Sequence, residues 1–233
     1  MKIQGSTALV TGANRGLGLA FAQALLAAGA RKVYAAARDP ATVRLPGVVP
    51  LQLDITREDE IRAAVRECHD LDLLINNAAI SQRGGFLGEE ALAATRRQFD
   101  TNFFGTLAMS QAFAPALKAN GGGALVNMLS VLSWVNMPAI AGYSASKAAA
   151  WSLTNGLRNE LRRQGTLVVG VHAAFIDTDM ASGVPAPKTQ PEEVARQVLE
   201  AVEAGQEEVF ADALTRQVKA GLSANSGVYL RSA

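Results

Sequence analysis

Apolar residues along this chain fall into two alternating rhythms. Six short runs, TALV (7–10), KVYAAA (32–37), VVPLQL (48–53), LDLLIN (71–76), ALVNML (124–129) and LVVGVH (167–172), are apolar almost throughout. Such runs imply burial on both faces, as in a parallel sheet covered by helices, whereas a half-exposed strand would alternate. Between the runs the spacing turns helical. Leu17, Phe21 and Leu25 stand at i, i+4, i+8, the inner stripe of a helix. Residues 57–68, 89–118 and 143–164 carry further helical patterns, with Gly165 placed to end the last. EEVFADAL (207–214) is expected to supply a last strand, followed by a short helix around RQVKAGL. Strand and helix in alternation predict an α/β doubly wound parallel sheet of about seven strands, with helices on both faces.

Composition narrows the picture. The 233 residues are 49% hydrophobic and 18% charged, with a formal net charge of +1. That balance fits one domain over 1–233, and the irregular ASGVPAPKTQP (181–191) reads as part of a short substrate lid near 178–191. A near-neutral chain offers no electrostatic case for nucleic acid or an anionic membrane surface. The single cysteine, Cys68 in RAAVRECHD, excludes an internal disulfide, suits a reducing cytoplasm and reads as a buried thiol at a helix end. TALV begins within six residues of Met1, so no signal peptide is expected ahead of the fold.

One segment carries no charge at all. From Ala119 to Ser146 there is no Asp, Glu, Lys or Arg. Three consecutive glycines, Pro138, three asparagines and several serines are a load that a lipid-facing helix of about 20 residues would not carry. A buried strand followed by a loop lining a cavity explains the run better. The first charge after it is Lys147, one helical turn from Tyr143, so the two share a face. An ammonium near a phenol stabilises phenolate, and an oxidised nicotinamide would add a second positive charge. A shift of roughly 2–3 units from about 10 would make the phenol an acid or base near neutral pH. Ser130, thirteen residues upstream of Tyr143 at the end of an expected strand, could hydrogen-bond the same substrate oxygen. Taken alone, Tyr-x-x-x-Lys occurs by chance on many helix surfaces.

After the first strand comes TGANRGLG, with Gly12, Gly16 and Gly18 in a G-x-x-x-G-x-G spacing that differs from the dinucleotide fingerprint G-x-G-x-x-G. The physics is shared: glycines permit a tight turn and close backbone approach, and the next helix offers free N–H groups to a pyrophosphate. The second strand ends Ala36-Ala37-Arg38, and Arg15 sits inside the glycine turn. Two guanidiniums could converge on one 2′-phosphate, which favours NADP(H). Asp39 is the counter-signal, since a shifted register would make it a ribose ligand.

TGANRGLG, NNAA (76–79), Asn102, Ser130 and YSASK (143–147) together, in this order and spacing, resemble the classical short-chain dehydrogenase/reductase family across residues 5–180. The resemblance implies a catalytic set of Asn102, Ser130, Tyr143 and Lys147. Tyr143 would give a proton to the carbonyl oxygen, Ser130 would orient and polarise it, and Lys147 would bind the nicotinamide ribose and depress the tyrosine pKa. Asn102 would hold a helix kink and a water. It also implies cofactor contacts from Gly12, Asn14, Arg15, Gly16, Leu17, Gly18, Arg38, Asp54, Ile55, Asn77, Ala78, Tyr143, Lys147, Ile176 and Thr178, with Asp54 near adenine and Ala78 near the adenosine ribose. Asn76 would support the central strand. Family members commonly form dimers or tetramers through the two long helices, here 89–118 and 143–164.

The implied activity is reduction of a ketone or aldehyde by NADPH, or the reverse, on a small and hydrophobic substrate. The uncharged Trp134, Val135 and Met137 between Ser130 and Tyr143 are the expected apolar wall, although a core role is open for Trp134 and Met137. Two features depart from the family pattern: Ala79 and Ala173-Ala174 stand where glycine and Pro-Gly are usual. If that second glycine takes positive φ, an alanine there is strained or the loop runs differently. A non-catalytic NADP(H) sensor is the rival these departures support, while an epimerase or dehydratase would usually need a larger substrate domain. His172 reads as a structural histidine, Trp151 as a core or subunit contact, and RNELRR (158–163) as a solvated helix face.

Overall fold

The computed structural model describes residues 1–230. Along the chain run β1 (Thr7–Thr11), α1 (Gly16–Ala27), β2 (Lys32–Ala37), β3 (Val49–Gln52), α2 (Glu58–Glu67), β4 (Leu73–Asn76), α3 (Ala91–Phe99), α4 (Thr106–Ala119), β5 (Ala124–Met128), α5 (Ala141–Leu161), β6 (Leu167–His172), α6 (Pro191–Ala204), β7 (Glu208–Phe210) and α7 (Ala213–Gly221). The seven strands form one sheet in the order β3-β2-β1-β4-β5-β6-β7, every pair parallel. Ala8 and Val10 of β1 pack with α1 and α6, while Leu9 between them packs with α2, α4 and α5. Both faces are therefore covered, which is why the strand runs lack alternation. Fully buried Phe21 and Phe113 anchor the two layers, each contributing about 2–3 kcal/mol of hydrophobic stabilisation. No described helix is long and apolar enough to cross a membrane.

The strand order reverses between β1 and β4. The chain lays β2 and β3 on one side of β1, then returns to place β4 on the other. The crevice beyond the carboxyl ends of β1 and β4 is therefore the place where such sheets take ligands. The glycine turn follows β1, and Asn77 follows β4.

Four segments differ from the sequence expectation. The single helix anticipated over 89–118 is α3 and α4 joined by a π-helical turn, Asp100–Gly105. Its last residue backs onto Ile55, where a Cβ on Gly105 would lie 2.8 Å from the isoleucine side chain. Helix α6 was not anticipated, although Pro191 at its first turn, Glu192 and Glu193 beside it, and the buried Val194, Val198 and Val202 are ordinary start and stripe signals. The last strand is confined to Glu208–Phe210, because Asp212 caps α7 by accepting from the Thr215 N–H. Arg158 leaves the solvated face expected of RNELRR: it donates to the Val168 and Glu207 carbonyls, tying α5 to β6. Gly165, at φ +78, does end the α5 segment as expected.

Candidate active site

The glycine turn is shaped by close approach. Gly12 and Gly16 hold φ of +66 and +53, a region costly for side chains with a Cβ. Gly18 has ordinary φ, but a Cβ there would lie 2.0 Å from the Gly12 carbonyl oxygen, so the start of α1 rests directly on the turn. Asn77 secures it from β4, its side-chain amide donating to the Thr11 and Gly12 carbonyls at 2.9 and 3.3 Å. The Thr11 hydroxyl accepts from the Asn77 and Ala78 N–H groups, both at 3.0 Å. Helix α1 starts at Gly16 without a side-chain cap or an acidic residue in its first turn. Its leading N–H groups thus remain available to an anion. This cradle fits the pyrophosphate of a dinucleotide.

A cleft of about 1970 Å³ extends from this turn. Gly12, Asn14, Arg15, Gly16, Leu17, Gly18, Arg38, Asp54, Ile55, Asn77, Ala78, Ile176 and Thr178 all line it, together with Ser130, Tyr143 and Lys147. Arg15 pairs with Asp179 at 2.9 Å, both side chains largely exposed. Asn14 donates to the Thr42 hydroxyl at 3.1 Å. Asp39 turns one carboxylate oxygen to the Ala41 N–H, 3.0 Å away, so part of its acceptor capacity serves the following turn. Asp54 uses one oxygen on the Thr56 N–H and hydroxyl, at 2.9 and 2.7 Å.

At the other end of the cleft, Tyr143 and Lys147 lie one turn apart on α5. The Lys147 ammonium is buried, 5.7 Å from the Tyr143 ring centroid, and donates to the Met128 carbonyl at 2.7 Å. Burial brings its pKa down to about 8, which leaves it mostly protonated at neutral pH. The phenol departs from the sequence expectation. Burial pushes Tyr143 up to about 12, and the hydrogen bond with the Ser130 side chain draws it back only in part. Desolvation of the anion is the larger effect and sets the direction. At neutral pH the site therefore presents a neutral phenol beside an ammonium, the proper state for giving a proton.

Asn102 sits at the π-turn, fully buried. Its side chain donates to the Ile80 carbonyl and the Ser146 hydroxyl, both at 2.9 Å, and accepts from the Ile80 N–H at 2.9 Å. It thereby joins the segment after β4 to α5, one residue from Lys147. Asn76 donates to Asn127 at 2.9 Å, which donates to Thr154 at 3.0 Å. The central strands and α5 are thus crosslinked by side-chain amides.

Three expectations need correction or completion. Trp134 does not join Val135 and Met137 on the cleft wall; it packs in the core against Trp151, edge to face at 6.2 Å. Ala173 and Ala174 are unstrained, since no described non-glycine residue has positive φ, and the Ala174 N–H donates to Asp212 at 2.8 Å. The C-terminal contribution was missed: Leu214, Val218, Val228 and Tyr229 all line the cleft. The D-A-L-T run at 212–215, an N-cap followed three residues on by threonine, was the available signal. Cys68 is buried with its pKa raised to about 12, which suits an inert thiol.

His172 is fully buried, and burial lowers its pKa to about 4. The unfolded chain, at about 6.5, takes up this proton first on acidification. Stability supplied by the neutral ring is therefore present above about pH 6.5 and lost as pH falls toward 4, by about 3 kcal/mol in all. Urea unfolding at pH 7, 5 and 4 is expected to trace this loss, and H172N is expected to flatten it.

The family model for short chain dehydrogenase matches residues 6–189. A sorbitol dehydrogenase of Cereibacter sphaeroides is 36% identical over 206 residues, 84% of this chain and 80% of its own. A D-erythrulose reductase of Gallus gallus is 37% identical over 186 residues, 77% of this chain and 75% of its own. A crystal structure of a short chain dehydrogenase from Burkholderia cenocepacia J2315, in complex with NADP, is 43% identical, covers 97% of this chain and 95% of its own, and superposes with a TM-score of 0.92.

Proposed function

The chain belongs to the short-chain dehydrogenase/reductase family of nicotinamide-dependent oxidoreductases, and from that premise we propose that it is an NADP(H)-dependent carbonyl reductase or alcohol dehydrogenase. The observation that carries this reading is that Ser130, Tyr143 and Lys147 stand on the wall of one cleft with the glycine cradle. When bound, the nicotinamide would supply or accept the hydride. Tyr143 gives its proton to the carbonyl oxygen during reduction and takes it back in the reverse direction. Ser130 aligns that oxygen. Lys147 lends positive charge from a buried position, where its field is weakly screened, and reaches the nicotinamide ribose. Asn102 holds the segment behind them.

Arg38 and Arg15 bind the 2′-phosphate, a reading supported by the exposed Arg38 at the cleft and by the engagement of Asp39 with Ala41. Fluorescence titration with NADPH and NADH tests it. NADPH is expected to bind more tightly. Arg38→Ala is expected to weaken NADPH by roughly tenfold or more and to leave NADH unchanged. Preference for NADH in the wild type would transfer the ribose pocket to Asp39 and overturn the NADP(H) assignment. The rival sensor reading drew on Ala79 and Ala173-Ala174, and none of these alanines has positive φ, which weakens that support.

The reacting end is walled by Val135, Met137, Val184, Leu214, Val218 and Val228, which favours a hydrophobic or aromatic ketone or aldehyde. The relatives named for sorbitol and D-erythrulose supply the competing class, a polyol or small ketose. A carbonyl screen with NADPH decides between them: turnover of polar substrates alone would replace the hydrophobic class. The segment 178–191, tied at its base by Thr189 N–H to the Phe175 carbonyl at 2.8 Å, acts as the substrate lid of a single domain. Helices α3 to α5, which expose Leu92, form the contact of a homodimer or homotetramer.

A further inference from the structure

We propose that His172 is a positioning residue: its Nδ1–H holds the backbone carbonyl of Ser130 and so fixes where the serine hydroxyl meets the substrate oxygen. The inference rests on the carbonyl chemistry assigned to Ser130 above. Ser130 lies just past β5, and the chain on either side of it is stitched to β6: the Leu129 N–H donates to the Val171 carbonyl at 2.8 Å, and the Val131 N–H donates to the Ala173 carbonyl at 2.9 Å. Between these bonds the Ser130 carbonyl lies 3.1 Å from His172 Nδ1. A carbonyl only accepts, so Nδ1 carries the proton. Nε2 is left with no hydrogen-bond partner among the described residues.

The ring is gripped from its face as well. It stacks on Trp134 at 4.0 Å and 21°, with Phe210 at 6.0 Å. Trp134 directly follows the short turn Val131–Ser133 that Ser130 caps. One imidazole thus meets both ends of that turn, its nitrogen at Ser130 and its face at Trp134. The turn in turn sets the hydroxyl. Ser130 Oγ accepts from the Leu132 N–H at 3.1 Å and donates to the Ala173 carbonyl at a long 3.4 Å, and it lines the same cleft as Tyr143. His172 itself does not line the cleft, so it acts through Ser130 and not on substrate. A histidine that merely filled the core would need only its face.

Two amide variants separate these possibilities. His172→Asn puts an N–H donor near the place of Nδ1, whereas His172→Gln carries its donor one methylene farther, toward Nε2. H172N is expected to keep kcat within about threefold of wild type. H172Q is expected to lower kcat by about tenfold, with NADPH affinity unchanged in both because the glycine cradle is remote. The ¹³Cζ resonance of Tyr143, assigned with Tyr143→Phe, is expected to move in H172Q and to stay in H172N. That readout requires no turnover. Indistinguishable resonances in the two variants overturn the proposal, as does equal kcat in both. If the wild type reduces no carbonyl, the functional reading has failed, and the resonance contrast alone decides the positioning role.

Discussion

Replacing Tyr143 by phenylalanine is expected to lower kcat by roughly 10³-fold while leaving NADPH affinity nearly intact. The substitution keeps the ring and removes one oxygen. In the proposed mechanism that oxygen carries the proton given to the substrate carbonyl. The phenol is held neutral with a pKa of about 12, and the lysine behind it is engaged by the Met128 carbonyl. Ser130 cannot take over the task, since a hydroxyl is a far weaker acid and this one already bridges Leu132 and Ala173. In the proposed reading the nucleotide phosphates are held at the opposite end of the cleft, by the turn that Asn77 secures, so phosphate binding and chemistry should separate. Adding Ser130→Ala to Tyr143→Phe is expected to cost little more, because residues that act as a unit are not additive. Stopped-flow reduction and an NADPH titration on the same preparation check both halves. Turnover above a tenth of wild type in Tyr143→Phe would remove the tyrosine from the mechanism.

Sequence patterns exposed the parts of this molecule whose physics is local. A strand buried on both faces must be apolar throughout, and each run from TALV to LVVGVH became a strand of the sheet. That Tyr143 and Lys147 share a face was readable because a four-residue spacing on a helix fixes it, whereas their selection as a catalytic pair came from the resemblance of the whole motif set. What stayed hidden depends on long-range packing. The family resemblance places a helix kink at Asn102, but nothing in DTNFFG specifies a π-turn, which is held by the bonds of Asn102 to Ile80 and by Gly105 against Ile55. The direction of the Tyr143 shift was missed for the same reason. Sequence shows a cation one turn away, but the desolvation that raises the phenol comes from the fold. For Trp134 the sequence leaves wall and core both open, and stacking on His172 puts it in the core. Helix α6 is different: its start signals and its apolar stripe at Val194, Val198 and Val202 are local and legible in the sequence.

A single methyl group on Gly18 is expected to cost at least about 100-fold in nucleotide affinity, since it separates the very surfaces that form the anion cradle. The reason is space and not conformation, because Gly18 lies outside the positive-φ glycines. Its Cβ would stand 2.0 Å from the Gly12 carbonyl oxygen and 2.7 Å from the Asn77 amide nitrogen. Neither is the free end of a flexible chain: one is backbone, the other an amide fixed by the Thr11 and Gly12 carbonyls. Relief requires α1 to lift from the turn, moving its leading N–H groups away from the place they hold for phosphate and loosening the link to β4. Overpacking of this kind also destabilises the fold by about 1–3 kcal/mol, so the thermal midpoint should fall together with the affinity. Gly156 provides the control, for it has nothing within 4 Å of an added Cβ and no positive φ. Gly156→Ala should leave binding unchanged and add up to about 1 kcal/mol of helix stability. NADPH binding to Gly18→Ala at wild-type strength would mean that the turn after β1 does not hold the pyrophosphate. The cleft would then need another anchor, and the division of labour between its two ends would fail with it.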